Sequence, residues 1–141
     1  MAGAVVFFDQ FTKAWARTDL NPGESLPVIR NFFHLTLIEN RGIAFGLFPG
    51  ADKVLLWVIT LSIAALGVFV LTGASRPSQT QWAVALIFGG AVGNWIDRIR
   101  NGAVTDFLDF RIWPVFNFAD SAITVGVALF LFDLLRQRHV S

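Results

Sequence analysis

Uncharged stretches divide this chain. From Val54 to Gly73 it runs for twenty residues without a charge, which matches the roughly 20 residues a helix needs to cross a hydrocarbon core. Two more stretches, Gln81 to Ile96 and Phe116 to Leu135, predict further spans, the last interrupted by Asn117, Asp120, Ser121 and Asp133. A fourth, Ala2 to Ala16, is apolar but carries Asp9, Gln10 and Lys13 and is short for a span. It lacks the basic start and small-residue cleavage site of a removable leader, so it reads as part of a mature membrane helix.

The links differ in character. The 37 residues from Arg17 to Lys53 open on a turn cluster at Asn21, Pro22 and Gly23, and the alternation around Phe33, Leu35 and Leu37 predicts strands. Strand edges cannot face lipid, so this piece belongs in the interface or against the helices. Ser75 to Thr80 reads as a polar turn. Arg98 to Trp113 contains VTDFLDF, whose alternation predicts another short strand. No internal repeat or domain boundary is visible, and 1–141 reads as a single membrane domain.

Composition then removes function classes. The residues are 55% hydrophobic and only 15% charged, which excludes an ordinary soluble domain. A net charge of +1, with no dense basic block, excludes a nucleic-acid partner. Without Cys, and with His34 and His139 far apart, thiol and metal chemistry are closed off, and no cofactor is implied. Basic residues give one conflicting signal. Arg17, Arg30, Arg41, Lys53, Arg98, Arg100 and Arg111 fall in two links on one side, against Arg76, Arg136 and Arg138 on the other. That bias alone would place the long first link in the cytoplasm.

Ionisable groups at membrane depth are costly, so each is a candidate for function or for pairing. Asp9 and Lys13 stand at i and i+4, where an ion pair forms on one helix face. Asn40 and Gly42 sit where an extended chain could contact a peptide or simply turn. Gly89 and Gly93 form a small-xxx-small pair suited to helix packing. Asn94 and Arg98 share a helix face and call for a carboxylate or carbonyl partner. Asp120 either caps the last helix or does chemistry. Asp106 lies on a strand face with Val104 and Leu108, an acid on an apolar surface, whereas Asp109 points the other way. Two carboxyls brought together can share a proton, one activating water and the other protonating a carbonyl oxygen.

Four blocks, DQFTK at 9–13, ENRGIAFG at 39–46, GGAVGNWIDRIRNGAVTDFLDF at 89–110 and FNFADSAITVG at 116–126, occur in this order around four apolar segments. In them the chain resembles the lipoprotein signal peptidases (signal peptidase II). The resemblance implies an all-α membrane protein, with four transmembrane helices and a small extracytoplasmic β-rich cradle. It implies both termini in the cytoplasm of a bacterial inner membrane and an active site on the extracytoplasmic side. The implied catalytic dyad is Asp106 and Asp120, with Asp9, Lys13, Asn40, Gly42, Asn94, Asp97, Arg98, Asn117 and Ala119 around it. The implied activity is an aspartic endopeptidase that cuts diacylglyceryl-modified prolipoproteins just before the lipidated Cys, in contact with membrane lipid. Only eight residues precede DQxxK here, fewer than such proteins carry, so the first helix reads as trimmed or short. The competing reading is a small non-enzymatic polytopic protein whose acids form a proton or ion relay. A serine protease is disfavoured by the lack of a GxSxG elbow and of a well-placed His.

Overall fold

The computed structural model describes residues 1–42, 51–72 and 78–138. Expectations falling on 43–50, 73–77 and 139–141 lie outside the described residues, including the second half of ENRGIAFG, most of the 75–80 link, Gly73, Arg76 and His139. Four helices, α1 (Ala2–Asp19), α2 (Ala51–Thr72), α3 (Ser78–Asn101) and α4 (Phe118–Arg138), combine with strands β1 (Ser25–Ile29), β2 (Phe33–Asn40) and β3 (Val104–Asp109). The strands form one antiparallel sheet in the order β1-β2-β3. Both links expected to carry strands do so, and they pair with one another.

Helix limits differ from the apolar stretches. Ser78 to Thr80, expected in a turn, belongs to α3, and Arg98, expected in the following link, lies in its last turn. Likewise α1 continues past Ala16 to Asp19. Hydropathy marks what can sit in lipid, whereas a helix continues into polar sequence until something stops it. For α3 the stop is Gly102, at φ 71°, whose N–H returns to the Arg98 carbonyl at 3.1 Å.

The polarity of the helix faces is inverted relative to a water-soluble fold. On α1 the buried stripe is Val5, Asp9, Lys13 and Ala16, while Phe7, Phe8, Phe11 and Trp15 are exposed. Along α2, Val54, Trp57, Val58, Leu61 and Leu71 are exposed as well. Surfaces of this kind belong in lipid. Among the described residues two helices are long and apolar enough to cross a membrane by composition alone, at Lys53–Thr72 and Phe118–Gln137. Of the four spans expected, α1 and α3 do not pass that test; α1 carries Asp9, Lys13, Arg17 and Asp19, and α3 carries Gln79, Gln81, Asn94, Asp97, Arg98 and Arg100.

Small residues let the helices come that close. A Cβ on Gly89 would lie 2.7 Å from Val5 Cβ on α1, and one on Gly93 would strike the Asp9 carboxylate. The expected packing role of Gly89 and Gly93 is thus a α1–α3 contact. On the other side of α3, a Cβ on Gly90 would lie 2.5 Å from the Ala119 carbonyl of α4. Farther along, Gly126 of α4 meets the Ala83 carbonyl of α3 in the same way, at 2.7 Å. The pair α3–α4 has the most extensive helix contact in the fold.

A buried ion cluster locks α1 to α3. Lys13 Nζ lies 2.9 Å from Asp9 Oδ2 and 3.0 Å from Asp97 Oδ2, and it donates to Asn94 Oδ1 at 2.8 Å. All three ammonium protons therefore have acceptors. Gln10 Nε2 donates to Asp9 Oδ2, Asp97 Oδ1 and the Gly93 carbonyl at 3.1 to 3.2 Å. The sheet docks on the end of α1 through Ala16, Leu20, Leu37 and Phe107, with Trp15 edge-on to Phe107 at 6.4 Å.

Two pairs of substitutions test this packing. Lys13→Met strands two buried carboxylates and should cost about 3–5 kcal/mol, read as a fall in Tm in detergent. Arg17→Met, which loses a half-exposed pair to Asp97 at 3.7 Å, should cost under about 1 kcal/mol; equal losses would mean that the cluster does not hold α1. Gly90→Ala should cost about 1–3 kcal/mol by overpacking, whereas Gly3→Ala, with nothing within 4 Å of the added carbon, should leave Tm unchanged.

Candidate active site

The ion cluster continues outward as a chain of side-chain amides. Lys13 fixes the rotation of Asn94, because Asn94 Oδ1 must face the ammonium. Its Nδ2 then points away and donates to Asp120 Oδ1 at 2.8 Å. Asn117 is fully buried and reads the same oxygen, donating through Nδ2 to Asn94 Oδ1 at 3.1 Å and to Asp106 Oδ1 at 2.6 Å. From the sheet, Asn40 Nδ2 donates to Asp106 Oδ2 at 3.0 Å. Asn40 Oδ1 meanwhile accepts from the N–H of Gly42, at φ 87°, which closes the end of β2 into a turn.

Asp120 has the capping role its position suggested. Asn117 and Asp120 form a reciprocal cap on α4: Asp120 N–H donates to Asn117 Oδ1 at 2.9 Å and Asn117 N–H to Asp120 Oδ2 at 3.2 Å. Another free N–H of that helix start, on Ala119, donates to Asp9 Oδ1 at 3.0 Å. The positive end of the α4 dipole thereby faces two carboxylates. Ala119 is completely buried, and Gly90 presses on its carbonyl, so a small residue is required there.

Asn117 therefore bonds both Asp106 and Asp120, and Asn94 joins it to hold Asp120. Among the described residues no hydrogen bond joins the two carboxyls directly. Burial pushes the Asp106 carboxyl up to about 6; Asn40 and Asn117 oppose this, and the charge of Asp120 adds to it. Each Asp106 oxygen already accepts one amide donor, so a proton must occupy one of the remaining lone pairs. Asp109 is separate. It accepts from Thr36 Oγ1 at 2.8 Å and from the backbone and side chain of Arg111 at 2.8 and 3.1 Å. Although burial acts to raise it, those bonds hold its carboxyl below the usual range. As expected from strand alternation, it is turned away from Asp120.

The remaining supports fall as follows. Asp97 accepts the Thr105 N–H at 3.1 Å, which fixes the start of β3 one residue before Asp106. Arg98 reaches no carboxylate; it finds the Asn94 carbonyl at 3.3 Å. Gln10, Arg17 and Thr105 were not singled out from sequence, yet Gln10 ties Asp9 to Asp97, and Arg17 Nη1 donates to Thr105 Oγ1 at 2.8 Å. For Gln10 a signal existed, a polar amide beside Asp9 in an apolar helix. Nothing local marks the other two.

Beside Asp120 opens an apolar cavity of about 570 Å³. Phe32, Phe110, Ile112, Trp113 and Phe116 form its outer wall, and Ser121, Thr124 and Val125 of α4 its inner one. Phe110 and Phe116 stack at 5.8 Å, and Phe32 and Phe33 pack on Phe110. The wall opens outward, with Ile112 87% and Trp113 69% exposed.

Comparisons with known proteins agree with this architecture. The family model described as Signal peptidase (SPase) II matches residues 1–136. A lipoprotein signal peptidase of Halothermothrix orenii is 43% identical over 96% of this chain and 93% of its own. One of Moorella thermoacetica is 47% identical over 96% of this chain and 90% of its own. A solved bacterial membrane enzyme, determined by the in meso method, superposes with a TM-score of 0.87 at 38% identity, covering 95% of this chain and 89% of that one. With a family match over nearly the whole length, four interlocked helices and a carboxyl pair at their common end, the chain belongs to the signal peptidase II family and is a membrane-associated peptidase.

Proposed function

We propose that Asp106 and Asp120 are the catalytic pair of an aspartic endopeptidase that removes signal peptides from diacylglyceryl-modified prolipoproteins, cutting just before the lipidated Cys. The observation that carries this reading is that Asn117 hydrogen-bonds both carboxyls, Asp106 through its side-chain amide and Asp120 through its backbone N–H, while Asn94 links Asn117 to Asp120. With its proton affinity raised to about 6, Asp106 is the member of the pair that holds the proton below that pH. The ionised partner takes a proton from water as the oxygen attacks the scissile carbonyl carbon, and the protonated partner gives its proton to the carbonyl oxygen. Collapse of the tetrahedral diol breaks the C–N bond: the carboxyl that took the water proton gives it to the departing α-amine of the lipidated Cys, and a diol hydroxyl returns its proton to the other carboxylate.

The neighbouring residues suit such a substrate. Asn40, at the end of β2, lies beside Asp106 where an extended peptide would pass, and the aromatic cavity next to Asp120 offers an apolar receptacle for acyl chains. In this reading all four helices span a bacterial inner membrane. Both termini are cytoplasmic, and the sheet with the carboxyl pair lies on the extracytoplasmic side. The inward-facing ion cluster supports α1 and α3 as spans, since paired polar groups turned to the bundle interior are tolerated there. A proton or ion relay is not favoured, because α4 carries no titratable side chain between Asp120 and Asp133.

Asp106→Asn and Asp120→Asn should each nearly abolish cleavage of a diacylglyceryl prolipoprotein, the double variant should be little worse, and Asp109→Asn should stay substantially active. With wild type, kcat/KM should fall about tenfold per pH unit above a midpoint near 6 as the shared proton is lost; a profile flat from about pH 5 to 8 would remove the shared-proton mechanism. The sign for stability is set by the same group. The carboxyl of Asp106 is raised above its ordinary 3.8, so the folded state binds the extra proton and loses stability as pH climbs from there to about 6. For topology, single Cys at Asn21 and Arg30 should react with an impermeant reagent in intact cells, and one at Gln79 only after the cells are opened. The reverse pattern would invert the orientation.

A further inference from the structure

A second cavity, of about 130 Å³, lies at the start of α2 and shares no lining residue with the aromatic cavity beside Asp120. It is lined by Arg41, Lys53 and Arg98 together with Leu55, Leu56 and Gly102. Three cations meet there, and none of the described lining residues is acidic. Among the described residues neither Arg41 nor Lys53 has an ion-pair partner. Arg98 Nε is buried without a hydrogen-bond acceptor, while the same guanidinium reaches only the Asn94 carbonyl, at 3.3 Å. A buried donor left this way is costly and calls for an acceptor. Among three cations the acceptor that fits best is an oxyanion.

The surroundings narrow the class. Lys53 stands in the first turn of α2, and the N-terminal turn of a helix favours anions. Below it, α2 exposes Val54, Trp57, Val58 and Leu61, a flank suited to acyl chains. An anion whose oxygens sit among the cations while its hydrocarbon runs down that flank is a phospholipid. We infer that this cavity binds the phosphate of an anionic membrane phospholipid, through Arg41, Lys53 and Arg98. The inference rests on α2 being a membrane span with this end at the interface, and it does not require the cleavage chemistry. It also gives work to three of the basic residues that run against the usual charge bias, because an interfacial phosphate would neutralise them.

The test is a binding titration of the purified full chain in neutral detergent, followed by native mass spectrometry and thermal shift. The probes are dioctanoyl phosphatidylglycerol, dioctanoyl phosphatidylcholine and inorganic phosphate. Phosphatidylglycerol should bind at least about tenfold more tightly than phosphatidylcholine. The Arg41→Gln/Lys53→Gln double variant should weaken it by about tenfold or more, the loss of one or two charge-assisted bonds. An Arg30→Gln/Arg100→Gln double variant, with the same change in net charge, should bind within about twofold of wild type. Equal weakening in both double variants would reduce the effect to general surface charge and overturn the site. Equal affinity for the two lipids would overturn its selectivity for an anionic headgroup, and inorganic phosphate competing as well as the lipid would overturn the headgroup assignment. Because the readout is binding, failure here leaves the cleavage proposal standing, and failure of cleavage leaves this result interpretable.

Discussion

The polar network that reaches Asp120 depends on one ammonium group. Lys13 is completely buried, as are Asp9 and Asp97, and a lone charge in that position would be prohibitive. Three acceptors around Nζ make it tolerable, and each acceptor belongs to a different structural job. Asp9 reaches the start of α4 through Ala119, Asp97 fixes the start of β3 through Thr105, and Asn94 turns its amide toward Asp120. Side-chain orientation at the carboxyl pair is therefore decided two residues away, by electrostatics that water cannot screen. Such preorganisation is what a site performing acid–base chemistry needs, because its donors and acceptors do not have to reorganise during reaction.

The glycines complete that arrangement by setting distance. Gly93 allows Asp9 to sit against the backbone of α3, and Gly90 allows α4 to begin directly beside it. Without a hydrophobic drive between helices in lipid, close backbone approach and satisfied polar contacts supply the association. The same residues that pack the bundle therefore also deliver Asp9, Asn94 and Asn117 to bonding distance.

Local spacing made much of this legible. The Asp9–Lys13 pair follows from i and i+4, the outward turn of Asp109 follows from strand alternation, and Asn117 with Asp120 follows from helix capping. The long uncharged run located α2 almost to the residue. Other features have no local signature. That Asn94 would face Asp120, that Asn40 would face Asp106 from 66 residues away, and that β3 would join the sheet of the first link are consequences of tertiary closure. Arg17 and Thr105 became partners for the same reason. Helix ends were misjudged at Ser78 and Arg98 because hydropathy reports solvent preference and not hydrogen-bond continuity. Four spans were expected, but composition alone identifies two, since a linear count registers the polar groups of α1 and α3 without registering that Asp9, Lys13, Asn94 and Asp97 are buried.

The sheet has a consequence for how activity arises during synthesis. Its middle strand comes from the link after α1 and its third strand from the link before α4, while Asp120 lies beyond both. A chain made only as far as β3 holds Asp106 but neither Asp120 nor the Asn117 that hydrogen-bonds both carboxyls. Under the proposed chemistry, a chain cut short before α4 would carry the scaffold without half of its reacting groups.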